Sequence, residues 1–108
     1  MTSVVIFCHT GESRMRAAYE LHSNIRKYVS CMPHVGRLSY EIPEKDMFIR
    51  FYPGDIEKAG GLRPDYVVFY DVTIDFRECW EYSMNGRYTE LSLKELIELI
   101  IGENKEEK

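Results

Sequence analysis

The chain lacks paired cysteines. Its three, Cys8, Cys31 and Cys79, are odd in number and widely spaced. None lies in a C-x-x-C pair, which excludes a disulfide framework and a zinc knuckle and points to a reducing, cytosolic setting. Long apolar runs are missing as well. Nothing approaches the ~20 residues of a membrane span, and Val4 to Cys8 is too short for a signal-peptide core and has no basic residue before it. The sequence therefore predicts a soluble protein of the cytoplasm. Base is in short supply too: 14 Lys and Arg against 18 Asp and Glu leave a net charge of −4, which argues against general coating of nucleic-acid phosphates. No stretch is dominated by Pro, Gly, Ser or one charge sign, so bulk disorder is excluded.

What is present is a core's worth of apolar residues. With 108 residues, 44% hydrophobic and 13% aromatic, the chain is long enough for one domain and too short for two. The expected domain spans residues 1–102, followed by a charged tail, 103–108. Ser3 to Cys8 is a continuous β-branched apolar run, as a strand buried on both faces requires. From Ser13 to Val29, Met15, Ala18, Tyr19, Leu21, Ile25 and Val29 recur at helical spacing, and Ser30, Met32-Pro33 and Gly36 close the pattern. Arg16, His22, Arg26 and Lys27 fall on the polar face of that helix, the one basic surface in the reading.

Arg37 to Ile42 and Met47 to Tyr52 read as strands joined by a turn at Pro43 to Asp46. Asp55 to Ala59 reads as one turn of helix, and Tyr66 to Asp71 as a second buried strand ending in a carboxylate. Asp75 is the expected cap of a helix running to Met84 and stopped by Asn85-Gly86, and Ser92 with Glu95 forms a capping box for a last helix to Ile101. The order predicts a small α/β domain with a partly parallel sheet and helices packed on it, truncated P-loop or Rossmann-like in class.

The richest stretch runs from Val4 to Met15. A buried strand feeds a short Gly-containing loop that opens a helix, so backbone N–H groups and the positive helix end converge on one point, suited to an anion. Cys8 and Arg14 fit a C-x5-R pattern there, which resembles the low-molecular-weight tyrosine phosphatases over about the first 25 residues. That resemblance implies Cys8 as thiolate nucleophile, Arg14 as phosphate clamp and an aspartate, Asp71, Asp55 or Asp75, as acid. Met15 stands where that family has Ser or Thr, and no Asp-Pro pair occurs.

Thr10-Gly11-Glu12-Ser13-Arg14 also resembles the end of a Walker A motif, and Ile49 to Pro53, then Ala59 through Asp71, resembles the stretch before and through the Walker B strand of phage packaging ATPases and related phage P-loop proteins. This implies anion or nucleotide binding through Thr10, Gly11, Ser13 and Asp71. Glu12 replaces the phosphate-gripping lysine and Val72 the glutamate after Walker B, so the resemblance implies a degenerate P-loop scaffold without hydrolysis.

His9, His22 and His34 lack partners at helical spacing, so no metal or other cofactor is expected. Asp75 to Met84 alternates acids with large apolar groups. Phe76, Trp80, Glu81 and Tyr82 are its candidate partner-binding residues. The leading expectation is a non-catalytic interaction protein, an anti-defence inhibitor or similar phage or prophage accessory protein working in the bacterial cytoplasm and binding another protein. The alternatives are the cysteine phosphatase and a nucleotide-binding domain without turnover.

Overall fold

A computed structural model describes residues 1–29, 32–34 and 39–106. The elements follow the chain as β1 (Thr2–Cys8), α1 (Gly11–Ile25), β2 (Met32–His34), β3 (Ser39–Ile42), a 3-10 turn (Pro43–Lys45), β4 (Met47–Tyr52), α2 (Ile56–Ala59), β5 (Tyr66–Asp71), α3 (Ile74–Met84), β6 (Thr89–Glu90) and α4 (Leu93–Glu106). The six strands form one sheet in the order β2-β3-β4-β1-β5-β6. The strand with the longest apolar run is thus central, where both of its faces are covered. β1 pairs in parallel with β4 and β5, β5 in parallel with β6, and β3 runs antiparallel to both β2 and β4. No described helix is long and apolar enough to cross a membrane.

Alternation along β1 divides the core in two. Val4, Ile6 and Cys8 face Ala17, Leu21 and Ile25 of α1 and Leu96 and Ile100 of α4. Val5 and Phe7 face Phe76, Trp80 and Met84 of α3. Connections leave β1 and β5 toward opposite faces, so the carboxyl edge between them is a switch point, where open α/β sheets bind ligands. An N-terminal latch fixes that register at the other edge: the Asp65 carboxylate accepts from the Ser3 amide at 2.8 Å, and the Asp65 amide donates to the Ser3 carbonyl at 2.8 Å.

Several expectations need correction. α1 starts at Gly11, because Thr10 caps it, and ends at Ile25. Its buried stripe is Ser13, Ala17, Ala18, Leu21 and Ile25, which leaves Met15 and Tyr19 exposed. Met32-Pro33 does not merely stop a helix: it lies in β2, an edge strand where a proline's missing N–H faces no partner strand on one side. Thr73, not Asp75, caps α3, accepting from the Phe76 amide at 3.2 Å; Asp75 falls in the first turn, where its charge suits the helix dipole. α4 continues to Glu106, through most of the expected tail. The Ser92–Glu95 box forms as expected, with reciprocal bonds of 2.9 and 3.0 Å. Arg37, the start of the second expected strand, and Cys31 lie outside the described residues.

Candidate functional site: the carboxyl edge of the sheet

The loop after β1 is held by its own side chains. Thr10 Oγ1 accepts from the Ser13 amide at 3.0 Å, and Ser13 Oγ accepts from the Thr10 amide at 3.2 Å and donates to the Thr10 carbonyl at 3.0 Å. This capping box occupies two of the amides that an anion at a helix N-terminus would use. Ser13 is buried by it, and Glu12 is exposed in the first turn of α1. Of the expected cradle, Thr10 and Ser13 are engaged with each other in the cap, and Gly11 is the first residue of the helix.

Cys8 closes β1 at 1% exposure. Its backbone pairs with Asp71 across a register shift, and the His9 amide donates to the Asp71 carbonyl at 2.6 Å. Burial pushes the Cys8 thiol up to about 11, with the Asp71 carboxylate adding to the rise and the Arg14 guanidinium opposing it. A thiolate nucleophile needs the opposite balance, a positive environment and open access. Arg14 and Asp71 are thus near enough to act on Cys8 electrostatically, with opposite signs. Asp71 itself is exposed.

Two cavities flank Pro53 at this edge. One, of about 490 Å³, is lined by His9, Pro53, Gly54, Asp55, Asp75, Phe76 and Cys79. Gly54 packs closely there: a Cβ would lie 3.3 Å from Val72 Cγ1 and 3.7 Å from the Phe76 ring. The other, of about 680 Å³, is lined by Arg14, Ser39, Phe48, Arg50, Phe51, Tyr52 and Pro53. The first is acidic and the second basic. Among the described residues no three His, Cys, Asp or Glu side chains come together as a metal ion would need.

Of the expected partner-binding residues, Phe76 and Trp80 lie in the core, at 6% and 2% exposure, because helical periodicity turns them toward Phe7. Glu81 is on the outer face, bonded to Arg77 at 3.1 Å, and Tyr82 projects into solvent at 89% exposure. Arg50 carries no expected site role, although the alternation Phe48-Ile49-Arg50-Phe51-Tyr52 sets it between two aromatics on one strand face. Cys79 and His9 line one cavity because α3 packs against the end of β1, a long-range contact that local sequence does not encode. Compared with family models, curated proteins and solved structures, the chain finds no match.

Proposed function

We propose that this protein is a non-catalytic interaction module, of the accessory, inhibitor-like kind that the P-loop resemblance to phage proteins implies, and that α3 presents its partner-binding face. The observation behind this reading is the outer stripe of α3. Ile74 and Tyr82 are 75% and 89% exposed, on either side of Glu78 at i, i+4 and i+8, with Asp75 and Cys79 beside them. A large aliphatic group and a tyrosine left in solvent beside acids match the composition of interface anchors, and the partner surface that complements them is basic with an apolar socket. The inner side of the same helix is anchored by Phe76, Trp80 and Met84, so the stripe is held rigidly and little ordering is needed on binding.

The capping box at Thr10 and Ser13 and the raised thiol of Cys8 favour this reading over anion turnover at the first loop. The test is capture from a bacterial lysate with the wild-type chain and with an Ile74→Ala/Tyr82→Ala double variant, whose changes are exposed and leave folding intact. The wild type should recover a stoichiometric partner whose affinity drops by roughly 30-fold or more in the double variant, the scale of two interface anchors. Recovery undiminished in the double variant, or repeated recovery of nothing, defeats it.

A further inference from the structure

The larger cavity beside Pro53 has a chemistry of its own, which does not depend on the protein-binding reading. Arg14 reaches it from the first turn of α1, with Nη2 folded back within 3.8 Å of where a Cβ on Gly11 would lie. Arg50 reaches it from β4, with its guanidinium 5.7 Å from the Phe48 ring centre and 5.6 Å from that of Tyr52. The Nε of each arginine is buried without a hydrogen-bond partner. Neither arginine joins the ion pairs found among the described residues. Buried guanidinium donors left unmet are costly, and the two arginines that carry them line one cavity.

We propose that Arg14 and Arg50 form a binding site for a small organic phosphate, the phosphoryl group accepting from both guanidinium groups and the organic part lying along the aromatic wall. Two fixed cations suit a dianion better than a carboxylate, and the guanidinium fork matches phosphate oxygens bidentately. Flanking by Phe48 and Tyr52 limits the hydration of Arg50 and holds its plane in place, so the charge is worth more than that of a free surface arginine. The cavity, at about 680 Å³, falls in the ~300–1,000 Å³ range of small-molecule sites and is larger than a bare oxyanion needs. The Ser39 hydroxyl, on the residue paired with Arg50 across the β3–β4 ladder, lines the same cavity as a further polar group. The site differs from the loop cradle expected from the sequence: it uses the side chain of Arg14, not the amides of Thr10 and Ser13.

The probes are phenyl phosphate and inorganic phosphate, titrated calorimetrically into the full chain at low ionic strength. Phenyl phosphate should bind one to one, more tightly than inorganic phosphate, and more weakly as salt is added. Arg50→Gln and Arg14→Gln should each weaken it at least tenfold, while Asp75→Asn, in the neighbouring acidic cavity, should leave it unchanged. In the wild-type protein, with no substitution, the Nε–H resonances of both arginines should shift together on titration. Absence of binding, binding indifferent to Arg50→Gln, or unmoved Nε–H resonances each overturns the site. Equal affinity for inorganic phosphate overturns the assignment of an organic ligand.

Discussion

The two faces of the sheet are covered by different means. One lies under two helices, α1 and α4, and is filled with aliphatic side chains from Val4, Ile6, Leu21, Ile25, Ile49, Leu96 and Ile100. The other lies under α3, with only short α2 beside it, and is filled with rings: Phe7 meets Phe76 at 4.9 Å and Trp80 at 5.0 Å between ring centres, both edge-on. One helix suffices there because aromatic side chains bury more area apiece than aliphatic ones. Its cover is thinner over β4, however. Phe48, Arg50 and Tyr52 point to that same face from β4 and remain only partly buried, Tyr52 packing against the ring-filled cluster. Both cavities of the carboxyl edge are lined by Pro53, just past the end of β4, and are distinct from the outer stripe of α3.

The sharpest way to break the comparison is to remove the largest ring. Trp80→Ala should cost about 3–5 kcal/mol, since it leaves α3 without its central anchor and opens a cavity the single helix cannot close. Leu96→Ala in α4, where α1 shares the cover, should fall toward the lower part of the ~2–5 kcal/mol range for such truncations. Urea unfolding with equal m-values measures both. Equal losses would mean that neither face depends on one element more than the other. Trp80 also buries its indole N–H with no partner, so Trp80→Phe should cost much less than the alanine change, the lost volume being offset by the removal of an unmet donor.

A second prediction probes the aliphatic face through its one titratable member. Cys8 has its thiol raised from 9.0 to about 11, chiefly by burial. A raised acid keeps its proton longer in the folded state than in the unfolded one. Its contribution is therefore fully present below pH 9 and is lost as pH rises from 9 through about 11. Across that window the wild type should lose about 2–3 kcal/mol more stability than Cys8→Ala, at ~1.36 kcal/mol per pH unit of difference. Denaturant unfolding at both ends of the window gives the comparison, other titrating groups being common to the two chains. Alkylation mapped by mass spectrometry should modify exposed Cys79 quickly and Cys8 only on unfolding; early modification of Cys8 would show that the aliphatic face opens in the native state.

The sequence made one face more legible than the other. The apolar runs Val4–Cys8 and Tyr66–Asp71 stand out because parallel strands under helices are apolar on both sides, and the hairpin of β3 and β4 is marked by its proline turn. The Ser92–Glu95 box was readable from spacing alone. Met15 and Tyr19 misled because a helix stripe built from small residues, Ala17 and Ala18, carries a weaker apolar signal than two large side chains beside it. Phe76 and Trp80 misled in the other direction: aromatics among acids suggest a surface until their spacing of four is matched to Phe7 across the core. The pairing of Arg14 with Arg50 was hidden for a different reason, since it depends on β4 lying next to β1, a long-range neighbourhood that local periodicity does not encode.

The smallest expected effect lies at the outer edge of the ring-filled face. Arg77 projects from α3, bonds Glu81 one turn on at 3.1 Å and reaches both carboxylate oxygens of Glu90 at the end of β6 at 2.7 Å, with its guanidinium 5.0 Å from the Phe69 ring centre. The two carboxylates raise its pKa, the hydrogen bond to Glu81 first among the causes. Two bonds to one carboxylate and a ring beneath make the geometry favourable, but the side chain is 44% exposed, where solvent screening leaves such a pair worth little. Arg77→Gln should therefore cost no more than about 1 kcal/mol, and 0.5 M salt should reduce the difference further, by the screening of exposed charges. Thermal unfolding at low and high salt measures it. A loss as large as that of Trp80→Ala would place the hold on α3 at its polar rim instead of its aromatic interior, and the contrast between the two faces would then be one of charge as much as of packing.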